Sequence, residues 1–188
     1  WLREYVDPII TDQERDAFLS LETSEERLAF IERFWKWRDP TPGTPQNEAR
    51  EEHMRRFSYA NKNFGTGKPG WNTDRGRVYI MLGPPHARSS NPMGRTAGER
   101  ASEVWSYNGI KSRSLPASFD LTFVDFNDTG DYQIVTNLEL AAPIRTYAGY
   151  VGSPMDLLTR AINADQFAGA TEFRAARDTF ALGDLVQA

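Results

Sequence analysis

Two capped amphipathic segments open the chain. Thr11-Asp12-Gln13-Glu14 and Thr23-Ser24-Glu25-Glu26 each place a hydroxyl three residues before a carboxylate. In that arrangement both side chains satisfy orphan amides at a helix start. The first predicts a short helix through Phe18 and Leu19. The second predicts a helix whose Leu28, Ile31, Phe34 and Trp35 recur at helical spacing. Asp39-Pro40 ends it, and Pro40, Pro42 and Pro45 make the following connector stiff and extended. A third helix is predicted over about 46–63, with Met54, Phe57 and Asn61 near one face and Glu51 placed to pair with Arg55.

The period then changes. Gly65, Gly67, Pro69, Gly70 and Gly76 read as a loop. Four apolar or alternating runs predict strands at 77–82, 103–107, 121–126 and 131–136, with turns at Asn108-Gly109 and Asn127-Asp128-Thr129-Gly130. Residues 88–101 read as a surface loop. Consecutive strands joined by tight turns pair antiparallel, and one face of such a meander needs the preceding helices as cover. The expected fold is therefore α+β. Helices in 1–64 pack on a roughly four-stranded antiparallel meander in 65–138 to make one domain. A helical tail in 139–188 carries helices near 154–163 and 171–181.

Composition narrows the chemistry. The chain has 188 residues, 39% of them apolar, enough for one sizeable core and too apolar for a disordered chain. A net charge of −4 and a pI near 5.3 argue against a nucleic-acid partner, which calls for a basic face. With no cysteine and two histidines, thiolate chemistry is removed and a multi-His centre disfavoured, so no metal and no cofactor are expected. The mean hydropathy is −0.59 and no apolar run approaches 18 residues, so no transmembrane segment is expected. The opening Trp1 in place of Met reads as a processed chain or a segment of a longer protein.

The densest constellation is Gly70-Trp71-Asn72-Thr73-Asp74-Arg75-Gly76-Arg77-Val78-Tyr79-Ile80, followed by Leu82-Gly83-Pro84-Pro85. Gly70 and Gly76 permit positive φ or close backbone approach. Trp71 can bury a large face while its indole N–H finds a carbonyl. Thr73 and Asp74 suit turn-fixing bonds to the backbone, and Arg75 and Arg77 are placed to pair with Asp74 or Asp39. Together these residues read as a structural junction between helices and sheet. With the flanking Phe34-Trp35, Arg38-Asp39-Pro40-Thr41-Pro42, Asn47-Glu48, Glu103-Val104-Trp105-Ser106-Tyr107 and Phe123-Val124-Asp125, the segment resembles the bacterial GWxTD-domain family over about residues 1–140. The resemblance implies an extracytoplasmic, cell-envelope setting and brings no established activity. A fainter likeness, at the level of fold alone, is to the small lipoproteins of the barrel-assembly machinery. It rests on a strand ending in Leu82-Gly83-Pro84, a Trp105-to-Tyr107 strand and a Phe-rich strand.

Other chemistry is weighed against this. Gly65-Thr66-Gly67-Lys68-Pro69-Gly70 lacks the spacing of a phosphate-binding loop, and Pro69 stands where that loop would continue into a helix. Asp74 and Asp125 are the candidate carboxylates of a hydrolase or a cation-binding protein. Asp125, Asp128 and Asp131 are weak metal candidates, since a tight turn accounts for the same residues. His53 reads as a solvated or ion-paired helix residue and His86 as a loop residue. The favoured function is a non-enzymatic interaction or scaffold module whose partners are other proteins of a larger assembly. Its partner surface would comprise 41–47, 86–101 and the tail beyond about 140, with Trp37, Pro42, Pro45, His86, Arg88 and Arg95 as contact candidates. A tail docked on its own domain would count against that surface.

Overall fold

The computed structural model describes residues 1–92, 100–110, 115–135 and 153–168, the side chains of 164–168 excepted. The elements are α1 (Asp12–Ser20), α2 (Ser24–Trp37), α3 (Glu48–Phe64), a 3-10 turn (Gly70–Asn72), α4 (Asp74–Leu82), β1 (Ala87–Asn91), β2 (Ser102–Asn108), β3 (Ser118–Asp125), β4 (Tyr132–Ile134) and α5 (Pro154–Ala168). The strands pair antiparallel in the order β1-β2-β3-β4, so the fold is α+β with helices before and after a four-stranded meander. Both capping boxes form. The Glu14 and Glu26 amides donate to the Thr11 and Thr23 hydroxyls at 3.2 Å, and each carboxylate accepts the cap residue's own N–H.

The first expected strand is a helix. Residues 77–82 belong to α4, which starts under the Thr73 cap and stops at Gly83, whose φ of +80° suits glycine. A six-residue apolar run between glycines is compatible with a buried helix as much as with a strand, and the cap decides it. The fourth strand comes instead from β1, inside the segment expected to be a loop. The likeness to barrel-assembly lipoproteins loses the strand on which it was built. Residues 93–99, with Arg95, and the expected helix at 171–181 lie outside the described residues.

Helix faces also shift. On α2, Phe30, Phe34 and Trp35 are buried, whereas Leu28 is 62% exposed. On α3 the buried face is His53, Phe57, Ala60 and Phe64, which leaves Met54 and Asn61 outside. Those four residues recur at i, i+4, i+7 and i+11, a true helical stripe that a histidine conceals at its first position. Glu52, and not Glu51, holds Arg55, and it holds Arg56 as well.

Two apolar clusters result. The larger joins α3, α4 and α5 to the inner face of the sheet, where Trp105, Tyr107, Leu121 and Phe123 are essentially inaccessible. The smaller packs Val6, Ile9 and Ile10 against α1 and α2 through Leu21, Phe30 and Phe34. Met155, Leu158, Ala161 and Ile162 of α5 belong to the larger cluster, so this part of the tail docks on its own domain. Truncating the fully buried side chain in Leu158→Ala is expected to cost about 2–5 kcal/mol in urea unfolding, and Leu28→Ala less than about 0.5 kcal/mol. Equal effects would contradict this packing.

Candidate functional site

The motif builds a corner. The Gly70 carbonyl accepts both the Thr73 amide (3.1 Å) and the Thr73 hydroxyl (2.8 Å), and that hydroxyl in turn accepts the Gly76 amide at 3.0 Å. Thr73 therefore closes the 3-10 turn and caps α4 at once. A Cβ on Gly70 would overlap the Ala60 carbonyl oxygen of α3, and one on Gly76 would overlap the Gly70 carbonyl oxygen. Both glycines serve close backbone approach; neither has a positive φ. The Trp71 amide donates to the Asn61 side-chain oxygen at 3.0 Å, and its ring packs on the larger core.

From this corner α4 sends each polar side chain to a different element. Asp74 Oδ2 accepts the Ile134 amide of β4 at 2.9 Å. Burial raises its carboxyl from the ordinary value, and the Ile134 N–H pulls the other way. Arg75 donates to Glu103 Oε2 on β2 (3.0 Å) and to the Gly130 carbonyl (2.8 Å), and its guanidinium lies 4.1 Å from the centre of the Tyr132 ring. Glu103, 2% exposed, also accepts the Trp105 indole N–H at 2.7 Å and pairs with Arg88 of β1. Arg77 reaches Asp7 of the N-terminal segment at 2.6 Å, and Arg15 holds the same carboxylate at 2.9 Å. The partners of Arg75 and Arg77 are thus Glu103 and Asp7, in place of Asp74 and Asp39.

Asp125 lies on the inward side of β3 with Leu121 and Phe123, facing away from Val124 and Phe126 as the alternation requires. It is buried, and it accepts the amides of Asn127 (3.3 Å), Thr129 (3.1 Å) and Gly130 (2.6 Å). Against the desolvation that raises it, these amides hold the Asp125 carboxyl below the ordinary range. Asp128 occupies the left-handed region at φ 55°, and Asp131 pairs with Lys68 at 2.8 Å. The weak metal candidates are therefore parts of one turn. Among the described residues no group of three or more His, Asp or Glu side chains is placed to hold a metal.

The remaining candidates scatter. His53 is buried, not solvated: its Nε2 lies 2.6 Å from the Tyr5 carbonyl oxygen. His86 is exposed and its Nδ1 accepts the Asn108 amide at 3.2 Å. Trp37, 36% exposed, ends α2 beside the exposed connector that holds Pro42 and Pro45. Glu103 went unread as a motif partner, although it shares the inward parity of Trp105 and Tyr107. A carboxylate on a core face calls for a cation, and the motif supplies one. Glu14, buried and bound bidentately to Arg38, hid behind its capping role.

The GWxTD domain family model matches residues 2–145. No curated protein and no solved structure matches the chain.

Replacing either Gly70 or Gly76 with Ala is expected to destabilise the fold by at least about 3 kcal/mol, because backbone must move to admit the Cβ. Arg75→Met removes one of the two cations on the buried Glu103, leaving Arg88 and the Trp105 N–H, together with the donor to the Gly130 carbonyl, and is expected to cost about 1–3 kcal/mol in the same denaturant titration. Asp74→Asn keeps an acceptor for Ile134 and is expected to fall within about 1 kcal/mol of wild type, while Asp74→Ala loses about 1–3 kcal/mol. Equal losses for Asn and Ala would assign Asp74 a role for its charge.

Proposed function

Because the chain belongs to the GWxTD domain family, we propose that it is a non-enzymatic protein-interaction module of the bacterial cell envelope, a subunit or segment of a larger assembly. The observation that carries this reading is the use of the motif's polar groups. The side chains of Thr73, Asp74, Arg75 and Arg77 are all engaged inside the fold, so the motif serves to build a rigid corner. What that corner leaves outward is irregular and open. Residues 40–46 are exposed around a turn with Gly43 at φ +109°, and Trp37 stands at their base. On the sheet, Ala87 to Ser90 of β1 are exposed, as is His86 just before the strand. The partner surface is accordingly 41–46 with Trp37, together with the β1 segment. The buried face of α5 is withdrawn from it.

The alternative, a hydrolase or cation-binding protein using Asp74 and Asp125, draws on one observation, the raised Asp74 carboxyl. Affinity purification from the native envelope separates the two. Wild type is expected to retain a partner in fixed proportion, and Trp37→Ala combined with Pro42→Asp to lose it about tenfold or more, equivalent to about 1.4 kcal/mol, at a temperature where unfolding curves show the variant still folded. Absence of any such partner, or one indifferent to these substitutions, overturns the surface.

A further inference from the structure

The two apolar clusters meet along a thin seam. Residues 1–38 carry their own core, and Tyr5 and Met81 border both clusters. Across the seam, Tyr5 stacks on Phe57 of α3 at 5.0 Å, Asp7 meets Arg77, and Asn47 donates to the Trp35 carbonyl at 2.6 Å. The covalent link from α2 to α3 runs through the proline-rich segment 39–47, exposed over 40–46, a natural hinge. At the centre of this seam lies His53, on α3, against the Tyr5 carbonyl and 5.2 Å from the Trp35 ring.

We propose that His53 makes the seam acid-labile, so that the N-terminal helical unit of residues 1–38 undocks from α3 and α4 when the imidazole takes a second proton. A carbonyl only accepts, so Nε2 carries the hydrogen and Nδ1 is the site of the added proton. The new cation would be buried and would face Arg38, just past the end of α2, and Arg56 on α3. Nearby carboxylates are already committed: Glu14 of α1 to Arg38, Glu52 of α3 to Arg55 and Arg56, and Asp7 of the N-terminal segment to Arg15 and Arg77. Burial lowers the ring's pKa from its ordinary 6.5; the Tyr5 carbonyl pulls the other way, and Arg56 and Arg38 add to the lowering. Undocked, the solvated ring regains its ordinary value. Docking is therefore complete above that value and weakens as pH falls below it, the opening equilibrium rising by up to about tenfold per pH unit.

Hydrogen exchange at about pH 7.5 and about pH 5, corrected for intrinsic rates, reads this directly. A released unit this small does not hold its helices on its own core, so in wild type protection of α1 and α2 is expected to fall about tenfold or more while α3, β2 and β3 hold theirs. In His53→Gln, which keeps a donor for Tyr5 and cannot titrate, that protection is expected to be independent of pH. Unchanged protection in wild type, an equal loss in His53→Gln, or a loss spread over the whole fold overturns the proposal. Should His53→Gln not fold, NMR titration of wild type, with His86→Gln to assign the second ring, decides it. Resonances of α1 and α2 that shift together with the His53 ring support the switch, and a ring that titrates without them overturns it.

Discussion

A carboxylate buried on the inner face of a sheet is the constraint from which the rest of this fold follows. Glu103 points into the core with Trp105 and Tyr107, where an uncompensated charge would be prohibitive. The Trp105 indole supplies one donor from the same strand and Arg88 a second from β1. The third, Arg75, must come from the helical layer, and a guanidinium can reach Glu103 only if α4 lies close against the sheet. A second constraint, between the helices, removes side-chain volume at Gly70 and Gly76. The backbone of the corner packs directly on α3 and on itself, and a methyl group at either position would push α4 away.

Three residues in the first turn of α4 then connect the whole domain. Asp74 occupies an amide of the edge strand β4, Arg75 ties β2 to the Gly130 turn, and Arg77 anchors the N-terminal segment through Asp7. The Gly130 turn is itself shaped by Asp125, whose carboxylate gathers three amides. Residues separated by as many as 70 positions are thereby held from one short helix. A motif employed in this way is legible as architecture. For a module that works by contact, a rigid corner is useful because it presets the outer loops and reduces the ordering that binding would otherwise require.

The N-terminal unit is the exception to this rigidity. It owns a separate core, and side chains more than backbone pairing hold it to the remainder. A buried histidine at such a boundary differs from one deep in a core, because local release relieves its desolvation without unfolding the sheet. Stability here is divided: the corner and sheet form one block, and α1 with α2 a second whose attachment depends on the charge state of its surroundings.

The capping boxes, the proline stop after α2, the α+β class and three of four strands were determined by sequence alone, because each depends on chemistry within a few residues. Thr11 and Thr23 bond three positions on, and Asn108-Gly109 ends a strand whatever lies around it. What local pattern left undecided went to tertiary structure. The run from Arg77 to Leu82 could have been a strand, and it is helical because Thr73 caps it and the Gly70 corner holds it against α3. His53 looked polar and solvated on its helix, and it is buried because Tyr5, 48 positions away, brings a carbonyl to it. The partner of Arg75 was invisible in its own neighbourhood, because the cost of burying Glu103 arises only once the sheet has a covered face.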